Sequence, residues 1–274
     1  MIRRAPVNLW IGGALVAMMT AIALLSLVWT PYDHTLLDIP AKFAAPSAEH
    51  WLGTDQLGRD VVSLLMAASV NSLTVAFVAV GLGGAIGTLL GLAASAWGGW
   101  VEAIVMRLVD LGFAFPALLF AIMLAAAFGP SLSNAILAIA FINIPVFARV
   151  ARGAANQIWT RDFVLAGQAA GMGRAALTRD HILPNIAAPI IVQATIEFAV
   201  AILAEAALSY LGLGAQPPMP SWGRMLSEAQ TLMYLAPELA IYPGLCIILA
   251  VLGFGLLGDG LRDVTDPRLA RTRA

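Results

Sequence analysis

LTVAFVAVGLGGAIGTLLGLAASAW, Leu73–Trp97, runs for 25 residues without a charged side chain. A bilayer core about 30 Å thick takes about 20 apolar helical residues to cross. This stretch is therefore read as a membrane-spanning helix. It forms the continuously apolar part of a 41-residue uncharged segment, Val61–Val101. Within it Gly83, Gly87 and Gly91 recur every four residues, a small-residue stripe that lets another helix come close.

Working outward, charges delimit further runs. Leu9–Trp29 is 21 residues without a charge and Leu239–Gly258 is 20. Another run, about Val101 to Phe128, carries Glu102, Arg107 and Asp110 near its start and ends at the turn pair Gly129-Pro130. A fourth spans about Leu132 to Ala148, closed by Arg149, and a fifth about Ala187 to Leu211, holding Glu197 and Glu205. The expectation is an all-α polytopic membrane protein with six transmembrane helices. Pro116 and Pro145 lie within spans and are candidate kinks. The first run follows Arg3-Arg4, but it is too long for a signal peptide and lacks a good cleavage site, so it is read as a retained anchor. We divide the chain into residues 1–71, an anchor helix with an external or interfacial segment, and 72–274, a five-helix core with a loop at about 149–186 and a C-terminal tail.

Composition agrees. Of the 274 residues, 60% are hydrophobic and 11% charged, too little charge to cover a soluble domain and too apolar for disorder. The lone Cys246 lies in an apolar run, and His34, His50 and His181 are far apart, so no metal site is expected from this chain. Lys42 is the only lysine and no glycine lies among the seven residues before it, so no P-loop is present. ATP with its magnesium would be handled by a partner. The net charge of −1 gives no reason to expect nucleic acid.

The basic residues are polarised. With six spans, Arg3, Arg4, Arg149, Arg152, Arg161, Arg174, Arg179, Arg262, Arg268, Arg271 and Arg273 share one side, and Arg107 leans to it. Lys42, Arg59 and Arg224 are on the other. Twelve of fifteen on one side makes that side, and both termini, cytoplasmic. Arg149–Leu183 is then a cytoplasmic loop, long enough to have a task. Thr160 is read as the cap of a short helix with Asp162 in its first turn and an apolar stripe of Phe163, Leu165 and Ala166. Gly171 and Gly173 break it, and a second helix runs from about Arg174 to His181, ending before Pro184. Physically this is either a docking knob or a helical hairpin resting on the membrane.

Leu165-Ala166-Gly167, three residues, Gly171, nine residues, and His181-Ile182-Leu183-Pro184 resemble the signature loop of ABC importer permeases. The spacing, central Ala, Gly and Leu-Pro are kept, while Leu165 and Gly167 replace the usual Glu and Ala. His50–Asp60, Glu205–Gly214, Gln216-Pro217-Pro218, Pro220–Gly223, Gly258–Asp263 and Asp266-Pro267 are similar to the peptide and nickel branch. The resemblance implies a type I importer permease fold in a bacterial inner membrane. It implies a second homologous permease subunit, two cytoplasmic ATPase subunits and a periplasmic or lipoprotein solute-binding protein. The loop helix, with Asp162, Phe163, Leu165, Ala166, Gly167, Gly171, His181 and Pro184, would couple to the ATPases. The implied cargo is a di- or oligopeptide, with nickel or glutathione as alternatives.

Three carboxylates at membrane depth carry the remaining expectations. Asp110, one turn after Arg107, reads as an ion-paired residue or as part of a gate. Glu197 and Glu205, two turns apart, read either as lining a path or as hydrogen bonds between helices. The same carboxylates would serve an ion-coupled secondary transporter, but no internal repeat is found. An intramembrane enzyme lacks a nucleophile–base pair.

Overall fold

The computed structural model describes residues 6–265. Arg3, Arg4, Arg268, Arg271, Arg273 and the Asp266-Pro267 pair lie outside the described residues. The described chain is helical, in the order α1 (Val7–Ser26), α2 (Val61–Trp97), α3 (Gly99–Ala114), α4 (Ala117–Phe128), α5 (Leu132–Trp159), α6 (Asp162–Ala169), α7 (Arg174–Leu177), α8 (Leu183–Tyr210), α9 (Trp222–Ala229) and α10 (Glu238–Thr265).

Several boundaries differ from the apolar runs, each for a local reason. Helix α2 starts at Val61 because Asp60 caps it: its Oδ2 accepts from the Ser63 amide at 2.8 Å and the Ser63 hydroxyl at 2.7 Å. The 71/72 division therefore falls inside α2. The run expected as one span from about Val101 to Phe128, with Pro116 as a candidate kink, is two helices, α3 and α4, bent by 83°. Pro116 lacks an N–H and forces the residue before it out of the helical region. Phe115 accordingly sits at φ −84°, ψ 119°. Pro145, by contrast, stays within α5, buried and facing Gly112 of α3. Helix α5 does not stop at Arg149 but continues to Trp159, because Arg149 and Arg152 find carboxylate partners on α3.

The glycine stripe explains the packing. A Cβ on Gly87 would stand 2.8 Å from Phe147 Cβ, and one on Gly91 would stand 2.8 Å from Ala151 Cβ and also meet the Ala148 carbonyl. Gly83 likewise meets Ala140 and Asn143. Only glycine lets α2 and α5 approach so closely. The contacts rise together along both helices, so α2 and α5 run parallel. Two parallel neighbours need one return crossing between them, and the bent pair α3–α4 supplies it. With α1, α8 and α10 this makes six crossings.

Helix α8 runs antiparallel to α2: Ile186 near its start clusters with Leu92, and Glu205 near its end meets Ser72. Helix α10 runs back along α8, with Gly258 against Thr195 and Phe254 stacked on Phe198 at 5.0 Å. Helix α1 lies antiparallel on α10, with Leu9 beside Gly260 and Gly12 beside Leu257. The start of α1 and the ends of α2, α5 and α10 thus share one end of the bundle. The opposite end carries residues 30–60, α9 and the loops beside it.

The seam is testable. Gly91→Ala should destabilise the protein by roughly 1–3 kcal/mol, because its methyl would overlap backbone. Gly81→Ala, where a Cβ meets nothing within 4 Å, should be neutral or stabilise by roughly 0.5–1 kcal/mol through helix propensity. Thermal unfolding in detergent separates the two.

Candidate functional site

The segment after α5 folds into a knob. Thr160 closes α5, its hydroxyl donating to the Gln157 carbonyl at 3.2 Å, and does not cap α6 as expected. Arg161 occupies the cap position, and its carbonyl accepts from the Val164 and Leu165 amides at 3.0 and 3.1 Å. Helix α6 ends at Gly171, whose φ of +86° only glycine adopts cheaply. The Gly171 amide donates to the Gln168 carbonyl at 2.9 Å and the Met172 amide to the Gly167 carbonyl at 3.0 Å, the paired bonds of a left-handed helix stop.

The second helix does not end before Pro184. It passes from α7 through a wide π-turn, Thr178–Ile182, straight into α8. Pro184 has no N–H and crowds the carbonyl four residues back, so an ordinary turn would be strained there. The widened turn spares that clash, and Asn185 Nδ2 donates to the His181 carbonyl at 2.7 Å.

The knob has its own core. Val164, Leu177, Ile182 and Ile186 are buried against Leu92 of α2 and Ala151 and Ala155 of α5. Gly167 lets α6 sit close to α7, since a Cβ there would stand 2.8 Å from Leu177 Cδ2. Arg174 fastens the knob to α2 by donating from Nη1 to the Trp97 carbonyl at 3.0 Å, a favourable place for a cation at a helix C-terminus. The inward face of α6 is therefore Val164, which the sequence reading passed over. Its signal was the apolar set Val164, Leu177, Ile182 and Ile186, the last two one turn apart.

The expected stripe of Phe163, Leu165 and Ala166 faces outward. Asp162, Phe163, Leu165, Ala166 and Gly171 are all exposed. His181 is half-buried, its ring 6.1 Å from that of Phe163, and Pro184 is exposed. Phe163, Leu165 and Ala166 thus present exposed apolar side chains on a packed base, at the end of the bundle shared by the ends of α2, α5 and α10.

The three carboxylates have separate surroundings. Asp110 pairs with Arg149 of α5 at 2.7 Å, not with Arg107. Arg149 lies over the Phe113 ring, 4.1 Å from its centroid, which aims its guanidinium at Asp110. Glu102 and Arg152 form a second α3–α5 ion pair nearer the knob. Glu197 accepts from Gln193 Nε2 at 2.8 Å, within α8. Glu205 is fully buried and accepts from Ser72 of α2 at 2.8 Å and Ser209 at 2.7 Å. Ser72 in turn accepts from the Trp222 amide at 3.2 Å. Glu205 thus ties α2, α8 and the start of α9 together, a role visible only once Ser72 and Ser209 are brought to it.

Residues 83–271 match the family described as the binding-protein-dependent transport system inner membrane component, and the chain belongs to that family. It is a multi-pass inner-membrane permease subunit of an ABC importer. It is 46% identical over 83% of its length, and 75% of the relative, to the dipeptide transport system permease protein DppC of Alkalihalophilus pseudofirmus. It is 42% identical to the glutathione transport system permease protein GsiD of Pectobacterium atrosepticum, covering 94% of this chain and 86% of the relative. The probable D,D-dipeptide transport system permease protein DdpC of Escherichia coli is 40% identical, covering 92% and 86%. The methionine ABC transporter MetNI, in an inward-facing crystal form, shares the type I permease fold. Its TM-score is 0.60 at 22% identity, covering 74% of this chain and 97% of that one.

Glu205→Ala should lower the melting temperature markedly, since it strands buried hydroxyls at roughly 1–3 kcal/mol each. Glu205→Gln, which keeps an acceptor and the volume, should lose less. Thermal unfolding of both variants in detergent checks the order.

Proposed function

We propose that this permease carries short peptides inward, powered by ATPases that grip the exposed face of α6. The observation that carries the reading is the knob: an exposed apolar surface on a core built from α2, α5 and α8 at once. A partner pushing on Phe163, Leu165 and Ala166 moves three helices together. The chain contributes no phosphate-binding loop in this reading, so ATP-Mg is bound and hydrolysed by two partner subunits. A second homologous permease subunit completes the path, and a solute-binding protein delivers cargo. Excess positive charge supports a cytoplasmic knob end and cytoplasmic termini. Residues 30–60 and α9 then face outward.

The cargo reading rests on the relatives, whose names specify a dipeptide, glutathione and a D,D-dipeptide. All three are short amide-linked molecules. A nickel chelate is the competing cargo. Leu165 replaces the acid usual at its place in the signature loop, so we expect an apolar contact with the ATPase there. Glu205 serves in this reading as a structural node, while Glu197 and the Asp110–Arg149 pair are the candidates for lining or gating the path.

Two experiments test this. Gly171→Asp puts a charge in open space beside the docking face, so co-purification of the ATPase should fall about tenfold or more, a loss of about 1.4 kcal/mol. Intact assembly and transport would remove the docking role. In a deletion strain, expression of the complete transporter should restore vanadate-sensitive uptake of labelled dipeptide. Restoration of nickel uptake alone would reassign the cargo.

A further inference from the structure

Helix α5 carries a polar stripe along its second half. Arg149, Arg152, Gly153 and Asn156 recur at the spacing of one helix face. Ala148, Ala151 and Ala155 lie on another face and are fully buried, toward the glycine seam and the knob core. The three side chains of the stripe each have a partner on a neighbouring helix. Arg149 pairs with Asp110 and Arg152 with Glu102, both on α3, and Asn156 Oδ1 accepts from the Ser95 hydroxyl of α2. The stripe is open along its length. Arg149, Gly153 and Asn156 are exposed and Arg152 is half-buried. The side chains of Arg149 and Asp110 are 53% and 56% accessible even while paired.

The deepest rung, Asp110–Arg149, stands at membrane depth. Gly87 meets Phe147, and Gly91 meets the Ala148 carbonyl. Arg149 is therefore level with the part of α2 between these glycines, about 10 Å short of Trp97, where the apolar run ends. Charged side chains at such depth face a bundle interior or a water-filled cavity, not lipid. Glu197 and Glu205 take the first solution: both are buried, with hydrogen bonds inside the bundle. The Asp110–Arg149 pair is not interior, so it calls for the second. From it the stripe continues without an apolar break to the knob end, as one wall of an aqueous vestibule would.

We propose that this stripe lines the inner half of the translocation path, and that Asp110 and Arg149 form a subsite for the two charged ends of a short peptide. The proposal rests on the function proposed above and names what the path reads in its cargo. A free dipeptide carries an ammonium at one end and a carboxylate at the other. Asp110 suits the ammonium. Arg149 offers a planar fork of N–H donors that matches a carboxylate, and the Phe113 ring, 4.1 Å from the guanidinium carbon, holds that fork in place. Without cargo the two groups satisfy each other at 2.7 Å. A peptide replaces this one ion pair with two. Glu102–Arg152 repeats the arrangement about two turns nearer the knob, a second station on the way out. Exchange between such pairs keeps binding weak enough for release, as conduction along a path requires.

The test uses the complete transporter in inside-out membrane vesicles without ATP, with Cys246 replaced by alanine. Gly153→Cys places a thiol on the stripe where a Cβ meets nothing within 4 Å. A membrane-impermeant maleimide should label this chain. Absence of labelling means that lipid or the second permease subunit covers the stripe, and overturns the proposal. Alanylalanine should slow the labelling, whereas N-acetylalanylalanine amide, with the same side chains and no charged ends, should not. Asp110→Asn combined with Arg149→Gln removes both charges and strands neither. In that variant labelling without peptide should continue, which reports a folded and open stripe, and the alanylalanine concentration for half protection should rise about tenfold. Asp110→Glu, which keeps the charge, should be protected like the parent. Equal protection by both peptides, or unchanged protection in the double variant, overturns the subsite. These results leave the permease reading standing as long as the unmodified transporter takes up labelled dipeptide with ATP. Absence of that uptake strikes the permease reading itself.

Discussion

The close approach of α2 to α5 along Gly83, Gly87 and Gly91 governs the rest of the structure. In lipid, apolar side chains gain little by leaving one hydrocarbon environment for another, so shape complementarity and dispersion must hold helices together. A seam without side chains on one partner maximises both. Because the two helices run parallel, the seam also dictates connectivity. The chain must cross back once between them, and α3–α4 does so in two pieces. Two ion pairs, Asp110–Arg149 and Glu102–Arg152, then tie the first piece to α5. The knob core forms where the ends of α2 and α5 lie side by side, so its position follows from the same contact.

Polar groups within this bundle are few, and their placement is correspondingly strict. Glu205 illustrates it. A carboxylate among apolar helices is expensive unless its oxygens are occupied. Ser72 and Ser209 occupy them, and Ser72 passes the network on to the first turn of α9. The end opposite the knob uses the same logic with charges: residues 30–60 form a strap fastened there by the Arg59–Glu228 bridge to α9. The two ends of the molecule differ in sign as well as shape, basic around the knob and acidic around the strap.

Much of this was legible in the sequence, and the failures have physical causes. Uninterrupted apolar length identified the spans because lipid permits no other solution for the backbone. The glycine spacing identified the seam, although not its partner. Helix ends were less legible. Asp60 starts α2 twelve residues before the continuous apolar run, since a capping side chain outweighs composition, and α5 runs past Arg149 because its arginines are neutralised from α3. Asp110 was assigned to its neighbour Arg107, while a residue 39 positions away won by having an aromatic ring to brace it. The inward face of α6 was not legible, because a single buried residue, Val164, decides the orientation of so short a helix. Pro116 and Pro145 look alike in sequence. One ends a helix, while the other stays within α5, buried and packed against Gly112.

The length of α2 has a mechanical meaning. Its 37 residues extend about 55 Å at the ordinary helical rise, with the knob at one end, the strap at the other and the glycine seam toward the knob end. Such a rod pivots. With the fulcrum off centre, a short stroke where the ATPases would grip becomes a longer sweep under the strap, traded against force. A tilt of about 10° moves a point 30 Å away by about 5 Å, roughly the rise of one helical turn. Stiffness then matters more than strength: Pro116 interrupts α3–α4 but no proline lies in α2, so the rod can turn without folding.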